Sequence, residues 1–217
     1  MALDEQFCQC VVNHAACVLA GIKPSALFSY IPRRPRECAG CSCERLCDTQ
    51  VRLRASLQAL RFTQRFSPRG LRCDVLTVGR GRALMLVSRT EGLRNLLAQA
   101  DVADFLAQAG LDVLGPRQLV RSLRIKMAGF EQAHCKQVCQ ERQEVEFPHE
   151  VGVLLGYPLS DVRGFIEHDG KGGVACGVWK AYGDAGRAER CWQRMRACRL
   201  QAQQGYAHGA ALEELIA

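Results

Sequence analysis

Residues 71–87 carry the pattern that most restricts what this chain can fold into. Apolar and polar side chains alternate from Leu71 to Val78, as they do on a strand with one buried face. Gly79-Arg80-Gly81 supplies residues that tolerate a tight turn, and a second apolar run follows from Ala83 to Val87. The segment therefore predicts a β-hairpin whose first strand places Leu71, Cys73, Val75 and Thr77 on one face and Arg72, Asp74, Leu76 and Val78 on the other.

Helical periodicity surrounds the hairpin on both sides. Capping residues such as Asp4, Thr90 and Asp184 precede runs with apolar residues three and four apart. One helix is predicted to follow Asp4, and a second covers about residues 44–66, with Leu46, Leu53, Leu57 and Leu60 on one face. Further helices are predicted over residues 91–99 and 101–108, from Pro116 onward, and over residues 148–155, 160–168 and 185–204. Residues 24–30 are predicted to be extended or looping and 174–182 to form a strand.

The mixture of elements predicts an α+β fold, a small antiparallel sheet with one hairpin packed against several helices. We expect residues 1–217 to form a single domain. Residues 31–48 form a Cys- and Arg-rich loop insertion in it, and residues 147–217 form a C-terminal half that carries motifs.

The composition is that of a globular protein, which excludes a wholly disordered or collagen-like chain. Of the 217 residues, 48% are hydrophobic and 24% are charged, so a chain of this length can bury a core. The most apolar run, Phe7 to Ile22, is interrupted by polar residues, so no membrane segment is expected. The acidic start, Met1 to Glu5, also argues against a secretory signal.

Positive charge is concentrated in residues 33–94. This segment holds fourteen Arg, no Lys and five acidic residues, a net +9, whereas the whole chain is +7. Such a segment can serve a nucleic-acid or protein interaction module. Few aromatic residues interrupt the arginines, which argues against nucleic acid as the partner, as does the high Arg content of the whole chain. Residues 148–166 also have helix-turn-helix spacing, but the second helix is too acidic for close phosphate approach.

Thirteen cysteines are many for a chain that needs no disulfides to fold. The odd number prevents complete internal pairing. Without an export signal, this count predicts reduced thiols in the cytoplasm, some of them holding metal.

Four of these cysteines, Cys38, Cys41, Cys43 and Cys47, lie within ten residues. The first two form a Cys-x-x-Cys knuckle, and the last two are one helical turn apart, so four thiolates could close around zinc or an iron–sulfur cluster. The spacing matches neither a ferredoxin run nor two separate zinc knuckles. Redox-active thiols and incidental surface cysteines are the alternatives.

A weaker metal site is predicted at His134, Cys135 and Cys139, where packed helix cysteines are the competing interpretation. His14, on an apolar helix face, is expected to be a core histidine unless a second donor faces it. His149-Glu150 at a helix start could ligate metal or move a proton, but a capping role is equally compatible. Phosphate-loop, zinc-protease and nucleophile-elbow motifs are absent from the sequence.

Two longer blocks carry a family resemblance. One is Phe147-Pro-His-Glu-Val-Gly-Val-Leu-Leu-Gly-Tyr-Pro158, followed by Asp161-Val-Arg-Gly-Phe-Ile166, and the other is Gly177-Val-Trp-Lys-Ala-Tyr-Gly-Asp184. With similar segments near His14 and Arg82, they resemble an uncharacterised bacterial domain-of-unknown-function family found mostly in anaerobes. The resemblance spans nearly the whole chain but implies no activity. The residues that match its motif positions are His14, His149, Glu150, Cys176, Trp179, Lys180, Tyr182, Asp184 and Cys198.

Three functions remain open at this point. The first is a cytoplasmic zinc or iron–sulfur protein in metal or redox homeostasis; because the Cys38–Cys47 cluster departs from the family pattern, it would be an accessory to a common scaffold. The second is a small-molecule-binding protein or enzyme with a pocket of His149, Glu150, Cys176 and Lys180, with Asp184 as an electrostatic partner. The third is the interaction module of residues 33–94. The sequence does not decide whether the protein is an enzyme.

Overall fold

The predicted hairpin forms two of the three strands of the main sheet. β2 (Leu71–Gly79) and β3 (Arg82–Arg89) pair antiparallel through a turn in which Arg80 and Gly81 have φ values of 54° and 76°. Positive φ at both central residues matches the right-handed twist of the strands. The predicted extended segment becomes β1 (Ser25–Tyr30), which pairs with β3 and gives the strand order β1-β3-β2. The computed structural model describes residues 2–33, 47–136 and 147–217, without the side chains of 132–136.

The sheet separates two apolar clusters because successive side chains of β3 point to opposite faces. Met85 and Val87 join a cluster with α1 (Glu5–Leu19), α2 (Asp48–Phe66) and part of α8 (Ala185–Ala207). Leu84 and Leu86 face a second cluster built from the helices between the hairpin and residue 167. Those helices are α3 (Thr90–Leu97), α4 (Ala100–Gln108), α5 (Pro116–Lys136), α6 (Val151–Leu154) and α7 (Leu159–Glu167).

A β-bulge near Leu76 makes one part of the predicted alternation wrong. The register shifts between Val75 and Thr77, so Val78 pairs with Ala83 and packs against the first cluster with Val75. One extra residue in a strand reverses the faces of all residues beyond it. Val78 therefore lies on the face predicted for Leu71, not opposite to it.

The leucines of α2 occupy the solvent-facing side of the helix. Leu53 and Leu60 are 71% and 54% exposed. The buried stripe consists instead of Val51, Ala55, Ala59, Phe62 and Phe66. Alanines let α2 approach β2 closely, and the two phenylalanines bury more apolar area than the leucines would.

The strand predicted over residues 174–182 is reduced to two short strands, β4 (Ala175–Cys176) and β5 (Lys180–Ala181), which form a separate two-stranded sheet. Between them, Trp179 turns inward to a third cluster with Ala181, Ala188 and Trp192. Short 3₁₀ turns at Ser67–Arg69 and Leu212–Leu215 complete the elements of the described ranges.

The predicted α+β class, with a small antiparallel sheet and several helices, is confirmed. In the described ranges, no helix is long and apolar enough to cross a membrane. The single-domain organisation stays a prediction, and residues 34–46 of the predicted insertion lie outside the described residues.

Candidate ligand-binding site

The two motif blocks meet at a cavity of about 250 Å³ beside the main sheet. α6 and α7 form one side, the β5 segment another, and Leu27 of β1 closes it toward the sheet. The Ser25 hydroxyl, buried in β1, donates to the Leu154 carbonyl at 2.6 Å and holds α6 against the sheet edge. The lining is Leu27, Phe147, His149, Val151, Gly152, Leu155, Tyr157, Asp161, Val162, Phe165, Trp179 and Lys180.

Asp161 joins the two blocks. It is 5% exposed and accepts three hydrogen bonds, from Trp179 Nε1 at 2.7 Å and from the backbone N–H groups of Tyr182 and Gly183 at 2.9 and 3.0 Å. A buried carboxylate is tolerated only when its oxygens are satisfied, and here all its donors come from one segment. Asp161 thus fixes the position of Trp179 in the wall of the cavity.

Aromatic contacts extend this wall. Trp179 stacks on Tyr157 with ring centroids 5.0 Å apart and packs edge-on against Trp192 at 5.4 Å. Burial raises the pKa of Tyr157, and its ring lies 5.3 Å from Lys23 Nζ. The pKa of Lys23 is lowered because burial disfavours its charged form. The indole and phenol rings therefore form a continuous aromatic surface.

His149 is a polar group in the lining of the cavity. Its half-buried ring lies between Phe147 and Phe165, with centroid distances of 5.5 and 4.8 Å. The imidazole makes no hydrogen bond to the residues that the structure describes. A neutral imidazole has one donor and one acceptor nitrogen, so both are available to a ligand.

Lys180 is the other residue of the predicted pocket that lines this cavity. Its ammonium group donates to the Gly170 carbonyl, which ties β5 to the loop that follows α7. The structure thus brings His149 and Lys180 to one cavity, but the predicted pocket does not form as a whole, because Glu150, Cys176 and His14 do not line this cavity.

The remaining pocket candidates lie elsewhere. Glu150 forms a 3.1 Å ion pair with Lys126 of α5, and its Oε2 atom is buried without a hydrogen-bond partner among the described residues. Cys176 is exposed on β4. Asp184 caps α8 by accepting from the Arg187 N–H at 2.9 Å, and this hydrogen bond lowers the pKa of Asp184.

His14 departs from the expected core position, because it is exposed on α1. Its ring stacks on Phe28 with a centroid distance of 5.6 Å and an interplanar angle of 11°. Partial burial, followed by the nearby Arg199, lowers the pKa of His14. His14 lines a separate groove with Trp192 and Arg199.

Most of the predicted metal ligands cannot be placed. Cys38, Cys41, Cys43 and Cys139 lie outside the described residues, as do the side chains of His134 and Cys135. Cys47 is exposed immediately before α2. The described part of the chain contains no group of three or more His, Cys, Asp or Glu residues that could hold a metal ion.

Asp161, Tyr157 and Phe165 stand in the family-like blocks, but sequence reasoning did not single them out as site residues. An acidic side chain beside Val162 on an otherwise apolar helix face was the available signal for Asp161. A carboxylate at such a position needs donors from elsewhere in the fold. The donors lie 18, 21 and 22 residues further along the chain, so the helix sequence alone does not identify them.

An α+β protein with a small aromatic cavity is the class that this fold and site define. The chain belongs to the family described as proteins of unknown function (DUF3793), whose model matches residues 11–216. This match confirms the resemblance to a domain-of-unknown-function family and includes both blocks around the cavity. Neither a curated protein nor a solved structure matches the chain.

Proposed function

We propose that this protein binds a small organic molecule in the cavity between the two motif blocks, with an apolar body against Tyr157 and Trp179 and a polar group at His149. The observation that carries the proposal is the position of His149, whose imidazole lines an apolar cavity without a hydrogen bond to the described residues. Ligand sites are mainly apolar and contain a few polar groups that orient the ligand. No reaction is assigned to the site.

The size of the cavity supports a small ligand. Its volume of about 250 Å³ lies below the ~300–1,000 Å³ of pockets that take drug-sized molecules. Aromatic and aliphatic walls favour a ring or a short hydrocarbon, and the cation of Lys180 favours an acidic polar group. A small apolar acid combines these features.

Phenylacetate, with phenylacetamide as its neutral counterpart, is a suitable probe for ligand-observed NMR titration. Replacing His149 with Phe keeps the ring and removes its hydrogen-bonding atoms, which should weaken phenylacetate binding about tenfold. His168→Phe is the matched control, since His168 also stacks on an aromatic ring, Tyr182, but does not line the cavity. Absence of binding by the wild-type protein at millimolar phenylacetate, or equal binding by His149→Phe, would overturn the proposal.

Metal binding by Cys38, Cys41, Cys43 and Cys47 stays a prediction beside this function. Cys47, exposed at the start of α2, is compatible with it. Metal analysis of anaerobically purified protein should find about one equivalent of zinc, or iron with sulfide, that is lost in Cys38→Ser/Cys41→Ser. Thirteen freely titratable thiols and no bound metal would contradict it.

We also propose a cytoplasmic location. All eight described cysteines are free thiols, which supports a reducing compartment. Export would favour disulfides instead, so thiol trapping in intact cells tests the location.

A further inference from the structure

A second cavity, of about 540 Å³, lies between the hairpin, α3 and the first half of α5. It shares no lining residue with the cavity around His149. Its walls contain Ser67, Arg72, Asp74, Ser88, Thr90, Leu93, Arg94, Pro116, Arg117, Gln118, Val120, Arg121 and Arg124, and we call it the arginine cavity.

Positive charge dominates the arginine cavity. Five of its lining residues are Arg and one is acidic, which gives a formal +4. The acid, Asp74, is paired with Arg124 at 3.1 Å, and Arg94 is paired with Glu91 at 2.9 Å. Within the described ranges, Arg72, Arg117 and Arg121 form no ion pair, so they are free to bind an anion.

The arginines of α5 stand where helix energetics disfavour them. Arg117, Arg121 and Arg124 recur at spacings of four and three, so like charges are neighbours on one helix face. Arg117 also follows Pro116 in the first turn, which carries no acidic residue, and the positive end of the helix dipole repels a cation there. An anion bound in the cavity would convert both repulsions into attraction.

The remaining polar groups suit phosphate oxygens. Arg72 on β2 lies directly opposite Ser88 on β3 in the sheet register, and Ser88 is 2% exposed. Ser67 and Thr90 add two further hydroxyl groups to the lining. Hydroxyl and guanidinium donors are typical of phosphate recognition.

The lining contains no aromatic side chain. Proteins that hold single-stranded nucleic acid stack its bases on aromatic rings, and this concave site offers no such surface. The donors of the arginine cavity therefore recognise the negative charge of a ligand and not a nucleic-acid base.

We propose that the arginine cavity binds the diphosphate group of a small molecule. Its oxygens accept hydrogen bonds from the guanidinium groups of Arg117 and Arg121 on one wall and of Arg72 on the other. The hydroxyl groups of Ser67 and Thr90 are the remaining donors. A free diphosphate and the diphosphate of a nucleotide share this chemistry.

Isothermal titration of the full-length protein with pyrophosphate, ADP and sulfate at 50 mM salt tests the proposal. We expect saturable binding of pyrophosphate that weakens as salt is raised, and at least about tenfold weaker binding in Arg117→Gln/Arg121→Gln. Equal affinities for pyrophosphate and ADP would identify the diphosphate as the whole ligand, whereas tighter ADP binding would identify a nucleotide.

Arg52→Gln/Arg194→Gln is the matched control, because it removes the same charge from exposed positions of α2 and α8 outside the cavity. It should retain pyrophosphate affinity within about twofold, and circular dichroism should show both double variants folded. The proposal is overturned if the control loses as much affinity, if sulfate binds as tightly as pyrophosphate, or if a 20-nucleotide single strand binds more tightly than either. It is also overturned if wild-type protein binds no pyrophosphate.

Discussion

Asp161 is the residue on which the candidate site depends most directly. Its carboxylate satisfies the indole N–H of Trp179 and two backbone N–H groups at once. Donors from one segment thus meet an acceptor from another, and the aromatic wall of the cavity forms where they meet.

Replacing Asp161 with Ala should destabilise the protein strongly. The change leaves three donors without an acceptor in a site that is 5% exposed, which should lower the free energy of unfolding by about 3 kcal/mol or more. Urea denaturation measures this loss. Asp104→Ala, at an exposed position of α4, is the control and should change stability by less than about 0.5 kcal/mol.

His14 gives stability a pH dependence of predictable sign. Its folded-state pKa is lowered by burial and by Arg199, so the unfolded chain binds a proton more readily than the folded protein does. The contribution of His14 to stability is therefore complete above its unfolded pKa, about 6.5, and is lost as the pH falls below it. Because His14 is exposed, the effect should be small.

Urea midpoints at pH 7.5 and 5.0 measure this dependence. His14→Gln should lose less stability than the wild type between the two pH values. Identical losses in both proteins would show that burial and Arg199 do not disfavour the protonated ring of His14.

At the scale of the element, α7 is held by an unusually close approach of Gly164 to Tyr182. A Cβ atom at Gly164 would lie 2.6 Å from the Tyr182 ring, whereas a Cβ at Gly129 of α5 meets no described atom within 4 Å. Both glycines are helical, so alanine gains similar helix propensity at each, up to about 1 kcal/mol.

The two Gly→Ala substitutions should therefore have opposite effects on the free energy of unfolding. Gly164→Ala should destabilise by about 1–3 kcal/mol because α7 must move away from Tyr182, and Gly129→Ala should be neutral or stabilising. Thermal unfolding of the two variants measures the contrast. Equal stabilisation by both substitutions would show that the close contact between Gly164 and Tyr182 relaxes without loss of stability.

The helices and strands themselves were largely predictable from local pattern. Period and caps identified the hairpin and the helix that follows Asp184, since both depend on neighbouring residues. Two details failed for non-local reasons. The face that α2 buries depends on how closely it can approach β2, and the bulge at Leu76 depends on the pairing partner.

At the scale of the whole molecule, β3 contributes to both main apolar clusters. Met85 and Val87 belong to one cluster and Leu86 to the other. Neither cluster can therefore unfold without disturbing the central strand. The single domain stays a prediction, and an unfolding experiment tests it.

Unfolding in urea should accordingly be one cooperative transition. Fluorescence reports Trp179 and Trp192 in the third cluster, while far-UV circular dichroism reports the helices throughout the chain. The two curves should have the same midpoint. Separate midpoints would show that the protein contains independently folding parts.

The two cavities also belong to this scale. His149 and Lys180 could be chosen as candidates because they stand in recognisable blocks, but the contact of His149 with Phe165 and the hydrogen bond that Asp161 accepts from Trp179 came from the tertiary structure. The arginine cavity was less visible still. Residues 33–94 stood out by charge, yet Arg117, Arg121 and Arg124 come from a different helix.

The sequence by itself determined the α+β class, the hairpin, most helix positions and the family, because periodicity, caps and turn residues act over a few neighbouring positions. Only the tertiary structure decided which face of α2 is buried, that His149 and Lys180 share a cavity while Glu150 and Cys176 do not, and that arginines from three elements converge. Those outcomes depend on close packing and on electrostatic interactions between residues that are far apart in the chain. Local sequence patterns do not predict which of these residues come into contact.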